Sequence, residues 1–430
     1  YSKAASLHLY LLGFEFPDSI IIIRKGTFHF MATAKKCQYL REFLVPNANE
    51  NTSTIELIEK TKDDGQNREN MNELVNILRK DKGKKVGSIF KQSEGFQGKF
   101  IPGFMTMVKD SQLDMVEIAN ALSSFFMLKD QDELENCKRA SILTNKVMKH
   151  GFVSEMETIL DGDDKISHEN LSGKVDSIIM DPSKIKVNIS SDAVDSCYTP
   201  IIQSGGKYDI KVSAYSNTDN LTPDVIISSM GARYKGYCAN MSRTFMVDAP
   251  SMVEKTYNSL LILYTHCLEQ MIIGNSIKDV VINARKFVEN KYPNLLSCLP
   301  KTLGWGIGLE FRDSAAVLND KNDLKFEDGQ VYALSVGFHN VPLTDEDKSS
   351  SPSSIKKLNT FSVLIGDTVK VVTSGPADVL TKFSREFSDV SYNINGDDDE
   401  GSEDGDDDDN AMDVDGQRRS KRNKAEKTAM

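Results

Sequence analysis

Ser229-Met-Gly-Ala-Arg-Tyr-Lys-Gly-Tyr-Cys-Ala-Asn-Met-Ser-Arg-Thr-Phe245 is the stretch on which the reading of the chain turns. Just before it, residues 224–229 form an apolar run of strand composition. Tyr234-Lys-Gly-Tyr237 supplies the glycine that a tight turn needs, and residues 241–247 alternate back. The pattern predicts a β-hairpin.

Upstream, residues 201–206 and 208–215 read as two strands about a Gly205-Gly206 turn. Residues 130–150 predict a helix with Leu134, Cys137, Thr144 and Met148 on one face. Residues 161–196 give no clear pattern. Downstream, Val253, Tyr257, Leu260, Leu261, Tyr264, Leu268 and Met271 fit one helical stripe. Ser276 with Asp279 has capping-box spacing, opening a second helix with Ile277, Val280, Val281, Ala284 and Phe287 inward. Residues 331–336, 361–365 and 367–372 are apolar strands, and the Ser/Asp/Lys-rich residues 343–358 between them read as an exposed insertion. The fold is expected to end near Asp389.

The first 125 residues have a different rhythm. Residues 20–23 and 28–31 read as strands joined by a turn at 24–27, and residues 33–44 as a helix. Residues 46–70 read as a polar surface excursion, 71–79 as a helix, 85–90 as a buried strand and 114–119 as a further strand. Strands alternating with helices predict a small α/β lobe.

The 430 residues leave room for two or three domains and an ample core. The net charge of −11 is uneven: residues 397–415 hold twelve Asp and Glu and no base, and residues 416–430 hold six bases and one acid. The acidity belongs to this tail. Residues 391–430 are too acidic and too poor in apolar side chains to repay ordering, so a disordered linker is expected there. Its Arg418-Arg-Ser-Lys-Arg-Asn-Lys424 run is a candidate nuclear localisation signal. Cys37, Cys137, Cys197, Cys238, Cys267 and Cys298 lie far apart without a Cys-x-x-Cys pair, which predicts reduced thiols of a cytosolic or nuclear protein. No apolar run approaches the roughly 20 residues of a membrane span. The chain opens at Tyr1, without an initiator Met and almost at once in core-like sequence, so it reads as a piece of something longer.

The hairpin resembles the first metal-binding segment of the pita-bread metallopeptidases: methionine and proline aminopeptidases, prolidase and creatinase. That resemblance implies a fold of mixed α/β class in two lobes. Residues 1–125 would form a small creatinase-type lobe, and residues 126–390 a lobe of curved antiparallel strands backed by the 253–271 and 277–288 helices. It also implies five metal ligands, four carboxylates and one imidazole, holding two divalent cations about 4 Å apart around an activated water. The flanking motifs place those five positions at Ser229, Asn240, Trp305, Ser335 and Gly366. None is a carboxylate or an imidazole. Two further imidazoles of the resemblance fall at Arg312 and near Val212. Losing one supporting partner of a ligand can cost roughly 10–100-fold in metal affinity, and here every ligand is replaced. The expectation is therefore no catalytic residue, no metal and no cofactor, with the five positions converging in one cleft. A metal-dependent aminopeptidase or creatinase-like hydrolase is the alternative.

Other signals are bland. His8, His29, His150, His168, His266 and His339 show no His-Glu-x-x-His spacing. Gly304, Gly306 and Gly308 lack the full phosphate-loop pattern. Arg243 reads as a core-flanking structural base.

A narrower resemblance rests on Leu11-Leu-Gly-Phe-Glu-Phe16, Pro200-Ile-Ile-Gln-Ser-Gly-Gly206, Tyr237-Cys-Ala-Asn240, Gly306-Ile-Gly-Leu-Glu-Phe-Arg-Asp313 and Ile365-Gly-Asp-Thr-Val369. These runs are similar to the N-terminal domain of the large subunit of FACT, a eukaryotic nuclear histone chaperone. The resemblance spans residues 7 to about 390. It implies a non-catalytic module of the nucleus and chromosome, with core histones and histone tails as partners and replication or transcription factors as further ones. The small HMG-type subunit would be met through regions outside this chain. No membrane and no sequence-specific nucleic acid are expected. The cleft, built in relatives to hold an extended peptide, would suit a basic histone tail. Glu310 and Asp313 are the candidate contacts to its Lys and Arg, with Arg312 opposing them.

Overall fold

Ile20–Arg24 (β1) and Thr27–Thr33 (β2) pair antiparallel about Lys25 and Gly26, which both have positive φ. The computed structural model describes residues 2–43, 54–80, 85–90, 98–162, 164–349 and 353–393. The chain divides into two units, Tyr1–Met127 and Leu128–Met430.

In the first unit Thr54–Lys60 (β3) adds parallel to β2, giving the order β1-β2-β3. Val86–Ser88 (β4) and Met115–Glu117 (β5) form a parallel pair. The helices are Lys3–Leu12 (α1), Ala34–Phe43 (α2), Asp64–Arg79 (α3), Phe100–Asp110 (α4) and Ala119–Met127 (α5). Ile20, Ile22 and Met31 pack with Met71, Leu74 and Val75 of α3 and with Ile101, Phe104 and Val108 of α4. A second cluster joins Phe16, Phe30 and Ala32 to Cys37 and Leu40 of α2. The polar excursion expected at residues 46–70 is corrected over its described part. Residues 54–60 are a strand whose exposed Glu56 and Glu59 flank half-buried Leu57 and Ile58, and residues 64–70 are the start of α3, largely solvent-facing apart from the buried Asn67. Asp63 caps that helix, accepting the Gly65 N–H at 2.7 Å. The strand expected at 85–90 shrinks to three residues, and α1, α4 and α5 escape the periodicity reading.

The second unit opens with Gln131–Lys146 (α6), started by an Asp130–Glu133 capping box. It continues through a π-helical turn at Val147–Val153 into Ser154–Asp161 (α7). Cys137, Thr144 and Met148 are buried as expected, and Leu134 is half-buried. The patternless 161–196 stretch holds His168–Met180 (α8) and Val194–Ser196 (β6). The hairpin follows its sequence: Val225–Met230 (β8), Ala232–Tyr234 (β9), Tyr237–Cys238 (β10) and Met241–Val247 (β11). Lys235 and Gly236, with φ of 47° and 86°, make the two-residue turn. Ser251–Gln270 (α9) packs on the sheet, and Ile277–Lys291 (α10) packs on α9. Leu261, Leu268 and Phe287 are only half-buried, while Leu263, Cys267 and Val288 are fully inside.

Ile201–Gln203 (β7), Gly304–Gly306 (β12), Asp313–Val317 (β13), Val331–Pro342 (β14) and Thr360–Lys370 (β15) complete the main sheet. Its order is β13-β12-β14-β15-β11-β8-β7, and each of these neighbours pairs antiparallel, as expected. Asp378–Val379 (β16) pairs with β15, and Ser391–Tyr392 (β17) pairs parallel with β11. Several expectations are corrected. Residues 208–215 form no strand. The strands expected at 361–365 and 367–372 are one strand, β15. The insertion at 343–358 carries two short helices and buries Leu343, Ile355 and Leu358, so it is not wholly exposed. Residues 391–392, assigned to the linker, belong to the sheet. The rest of that linker, with its acidic run and candidate localisation signal, lies outside the described residues. Among the described residues no helix is long and apolar enough to cross a membrane.

Candidate functional site

Antiparallel register lays four of the relevant positions in one row across the sheet. Ser229 of β8 faces Ser242 of β11, Ser242 faces Gly366 of β15, and Gly366 faces Ser335 of β14. Trp305 enters from β12, paired with Ala333, and Asn240 sits at the start of β11. The sequence thus brings its five degenerate positions together. Ser229, Asn240, Trp305 and Ser335 line one cavity, and Gly366 lies in the row behind it, against Ser242. Val212 lines the same cavity.

The side chains at three of the expected ligand positions have hydrogen-bond partners, and a fourth position, Gly366, has no side chain. Ser229 Oγ donates to Ser242 Oγ at 2.8 Å. Asn240 Oδ1 accepts the Tyr198 hydroxyl at 2.6 Å, and the Asn240 N–H donates to Thr368 Oγ1 at 2.8 Å. Burial pushes the Tyr198 phenol well above its ordinary range, so it stays a donor. Trp305 Nε1 donates to the Phe311 carbonyl at 2.8 Å, and the indole meets the Phe311 ring edge-on at 5.6 Å. A Cβ on Gly366 would lie 3.0 Å from Ser242 Oγ and 3.1 Å from its Cβ, so the row is closed at that point. The cavity left between these groups is about 20 Å³, room for about one water molecule. At these positions the expected peptide-holding cleft is filled.

Two divalent cations do not fit this donor set. Two hydroxyls, a neutral amide, an indole N–H and a bare backbone offer no anionic charge to offset them. Among the described residues no three His, Cys, Asp or Glu side chains group as metal ligands.

The candidate partner contacts separate. Arg312 is exposed, its guanidinium 5.9 Å from the Trp305 ring centre, and Glu310 is half-buried. Asp313 is buried and takes the Ala315 N–H at 2.9 Å, shaping the entry to β13, so it is no surface contact. Gly304 and Gly306 are not a phosphate loop: a Cβ would meet the Ala333 carbonyl at 2.1 Å in the first case and Ala316 Cβ at 2.6 Å in the second. They are glycines because strands approach too closely for side chains.

Sequence reasoning missed Ser242, Tyr198 and Phe311. Ser242 was within reach, because two residues after Asn240 is the same strand face. Arg243 was placed at the edge of the core, and it lies fully inside. It pairs with Asp367 at 2.8 Å and donates to the carbonyls of Ser242, Gly366, Phe383 and Ser384.

Residues 135–373 match the family model for metallopeptidase family M24, and residues 1–121 match that for the N-terminal lobe domain of FACT complex subunit SPT16. The solved N-terminal domain of FACT complex subunit SPT16 from chickpea is 36% identical, with a TM-score of 0.82 over 91% of this chain and 90% of that one. The chain belongs to the SPT16 N-terminal domain family. The FACT complex subunit SPT16 of Zea mays is 34% identical over 422 residues, 96% of this chain and 39% of that protein. The chain thus spans about two fifths of the length of that curated relative. The X-Pro aminopeptidase of Thermotoga maritima shares the fold at 17% identity, with a TM-score of 0.66 over 91% of this chain and 95% of that one. The chain therefore has the pita-bread fold of the M24 metallopeptidases.

Proposed function

We propose that this chain is a non-catalytic protein-binding module of the FACT large subunit, a nuclear histone chaperone that reorganises nucleosomes during transcription, replication and repair. It works at the chromosome by contacting core histones or another chromatin protein through its surface. The small HMG-type subunit is met elsewhere in the longer protein. One observation carries the reading: none of the five positions that the peptidase resemblance assigns to metal ligands is a carboxylate or an imidazole, and Ser229, Asn240 and Trp305 bond instead to Ser242, Tyr198 and Phe311 around a cavity of about 20 Å³. A filled site favours contact over outer surfaces, such as the exposed Arg312, over threading of a histone tail through the cleft. The acidic run at 397–415 adds a nonspecific attraction for basic partners. The fold alone favours the alternative of a metal-dependent hydrolase.

The test is titration of the chain, whole and cut after Asn393, against core histones and tail peptides. Binding by both forms is expected. No binding by the shorter form would confine histone recognition to the tail or to other parts of the protein.

A further inference from the structure

Residues 204–224 connect β7 to β8 with one isolated bridge, Asn220 to Ser167, and they carry one wall of the degenerate site. Asp209, Ile210, Lys211 and Val212 line its cavity together with Asn240 and Trp305. Tyr208 and Leu221 are buried, whereas Tyr215 is 79% exposed. The remaining hold is made by polar side chains and, at residues 217–221, by backbone bonds: the Leu221 N–H donates to the Ile166 carbonyl, and the Asn217 and Asp219 carbonyls accept from Glu169 and His168.

His168 Nδ1 lies 2.7 Å from Asn217 Oδ1, and His168 Nε2 lies 2.7 Å from Ser204 Oγ. Asn217 Oδ1 also accepts the Asp219 N–H at 3.0 Å, while Asn217 Nδ2 donates to Asp219 Oδ2 at 3.2 Å. Oδ1 is therefore an acceptor, His168 carries its proton on Nδ1, and Nε2 accepts the Ser204 hydroxyl. Thr222 donates its N–H to Ser204 Oγ at 2.9 Å and its hydroxyl to Asp224 Oδ2 at 2.7 Å. Asp224 in turn accepts the Gly205 N–H at 3.1 Å. In the middle, Gln203 accepts the Asp209 N–H at 2.9 Å, and His339 of β14 holds the Tyr208 carbonyl at 2.9 Å. The Ser204–His168–Asn217 order matches a hydrolase relay. Yet Ser204 is 3% exposed and its oxygen already takes the Thr222 amide, so the relay fastens the chain.

We propose that residues 205–223 are a latched lid over the degenerate site, fastened where its two ends meet by the cluster of His168, Ser204, Asn217, Thr222 and Asp224, and that the lid opens as a local unit while the sheet stays folded. A segment held by side-chain bonds and a few backbone bonds to a helix start, with few buried apolar contacts and no continuous strand ladder, belongs to the low-stability end of a structure. The paired strands β14 and β15 belong to the other end. Opening removes the wall at 209–212 and uncovers Trp305, which is 5% exposed when the lid is shut.

Trp305 is the only tryptophan, so acrylamide quenching of its emission reads the lid directly. Hydrogen exchange of the whole 430-residue chain reads it independently. In the unmodified chain, amides of 205–222 are expected to exchange well before those of β14 and β15. Asn217→Ala, at the half-buried outer end of the latch, is expected to quicken lid exchange roughly tenfold and to raise Trp305 quenching, with β14 and β15 unchanged. Ser204→Ala is expected to do the same from the inner end. Should Ser204→Ala fail to fold, the unmodified chain and Asn217→Ala still decide. Lid and sheet exchanging together in the unmodified chain would overturn the proposal. So would an Asn217→Ala variant in which every region, or none, is quickened.

Discussion

Ser242 has more to do with the state of the site than any of the five positions that the peptidase pattern singles out. Its hydroxyl accepts from Ser229, and its Cβ and Oγ crowd the space above Gly366. Gly366→Ala is expected to destabilise the fold by about 1–3 kcal/mol through this overpacking. Ser242→Gly in the same chain should recover much of that loss, which a double-mutant cycle in urea measures. Asp224 carries a second residue-level consequence. Burial raises its carboxyl to about 6 from an ordinary 3.8, against the hydrogen bonds from Gly205, Thr222 and Val225. The folded chain thus binds this proton more tightly than the unfolded one. The resulting stabilisation is complete below about pH 4 and is lost as pH rises through about 6, on the order of 2–3 kcal/mol. The stability difference between the unmodified chain and Asp224→Asn should therefore shift against the unmodified chain between pH 4 and 7. A difference that is flat in pH would show that Asp224 is not so perturbed.

Among the elements, the segment from Asp378 to Tyr392 is held to the sheet by the β16 and β17 pairings and, between them, by a buried charge cluster. Arg243 and Asp367 are both fully buried, and Arg385 adds a second bond to Asp367 at 3.1 Å. Thr381 donates to the same carboxylate at 2.7 Å. Removing one member leaves an uncompensated buried charge, so Asp367→Asn or Arg243→Met is expected to cost about 3–5 kcal/mol. Trypsin should then cut early at Lys382 and Arg385. The hairpin, the helix opened by Ser276 and the β1–β2 pair were legible because their signals are local: a turn glycine, a cap and a period. Residues 208–215 alternate like a strand, yet their backbone is satisfied by Gln203, His339 and short-range turns, which no local pattern reveals. The strand at 54–60 was hidden by its Glu and Lys, and Ile355 by the Ser-rich stretch around it. The five site positions were readable from their flanks. The partners that fill the site, Tyr198, Ser242 and Phe311, depend on which strands lie side by side, and that is tertiary information.

For the whole molecule, charge and shape make separable demands. Exposed charge pairs are worth about 0–1 kcal/mol each and are screened beyond roughly 8 Å at physiological salt. Histone binding that depends on the acidic run at 397–415 should weaken steeply as salt rises, while binding by the chain cut after Asn393 should weaken less. Equal salt slopes for the two forms, from titration at two ionic strengths, would contradict that division. We infer that a hydrogen-bonded site stands here where the peptidase fold would hold metal. Equilibration of the purified chain with Mn, Co or Zn, removal of free metal, elemental analysis, and incubation with X-Pro peptides with and without chelator test it most directly. No stoichiometric metal and no cleavage are expected; metal bound in stoichiometric amount together with cleavage abolished by chelator would overturn the inference.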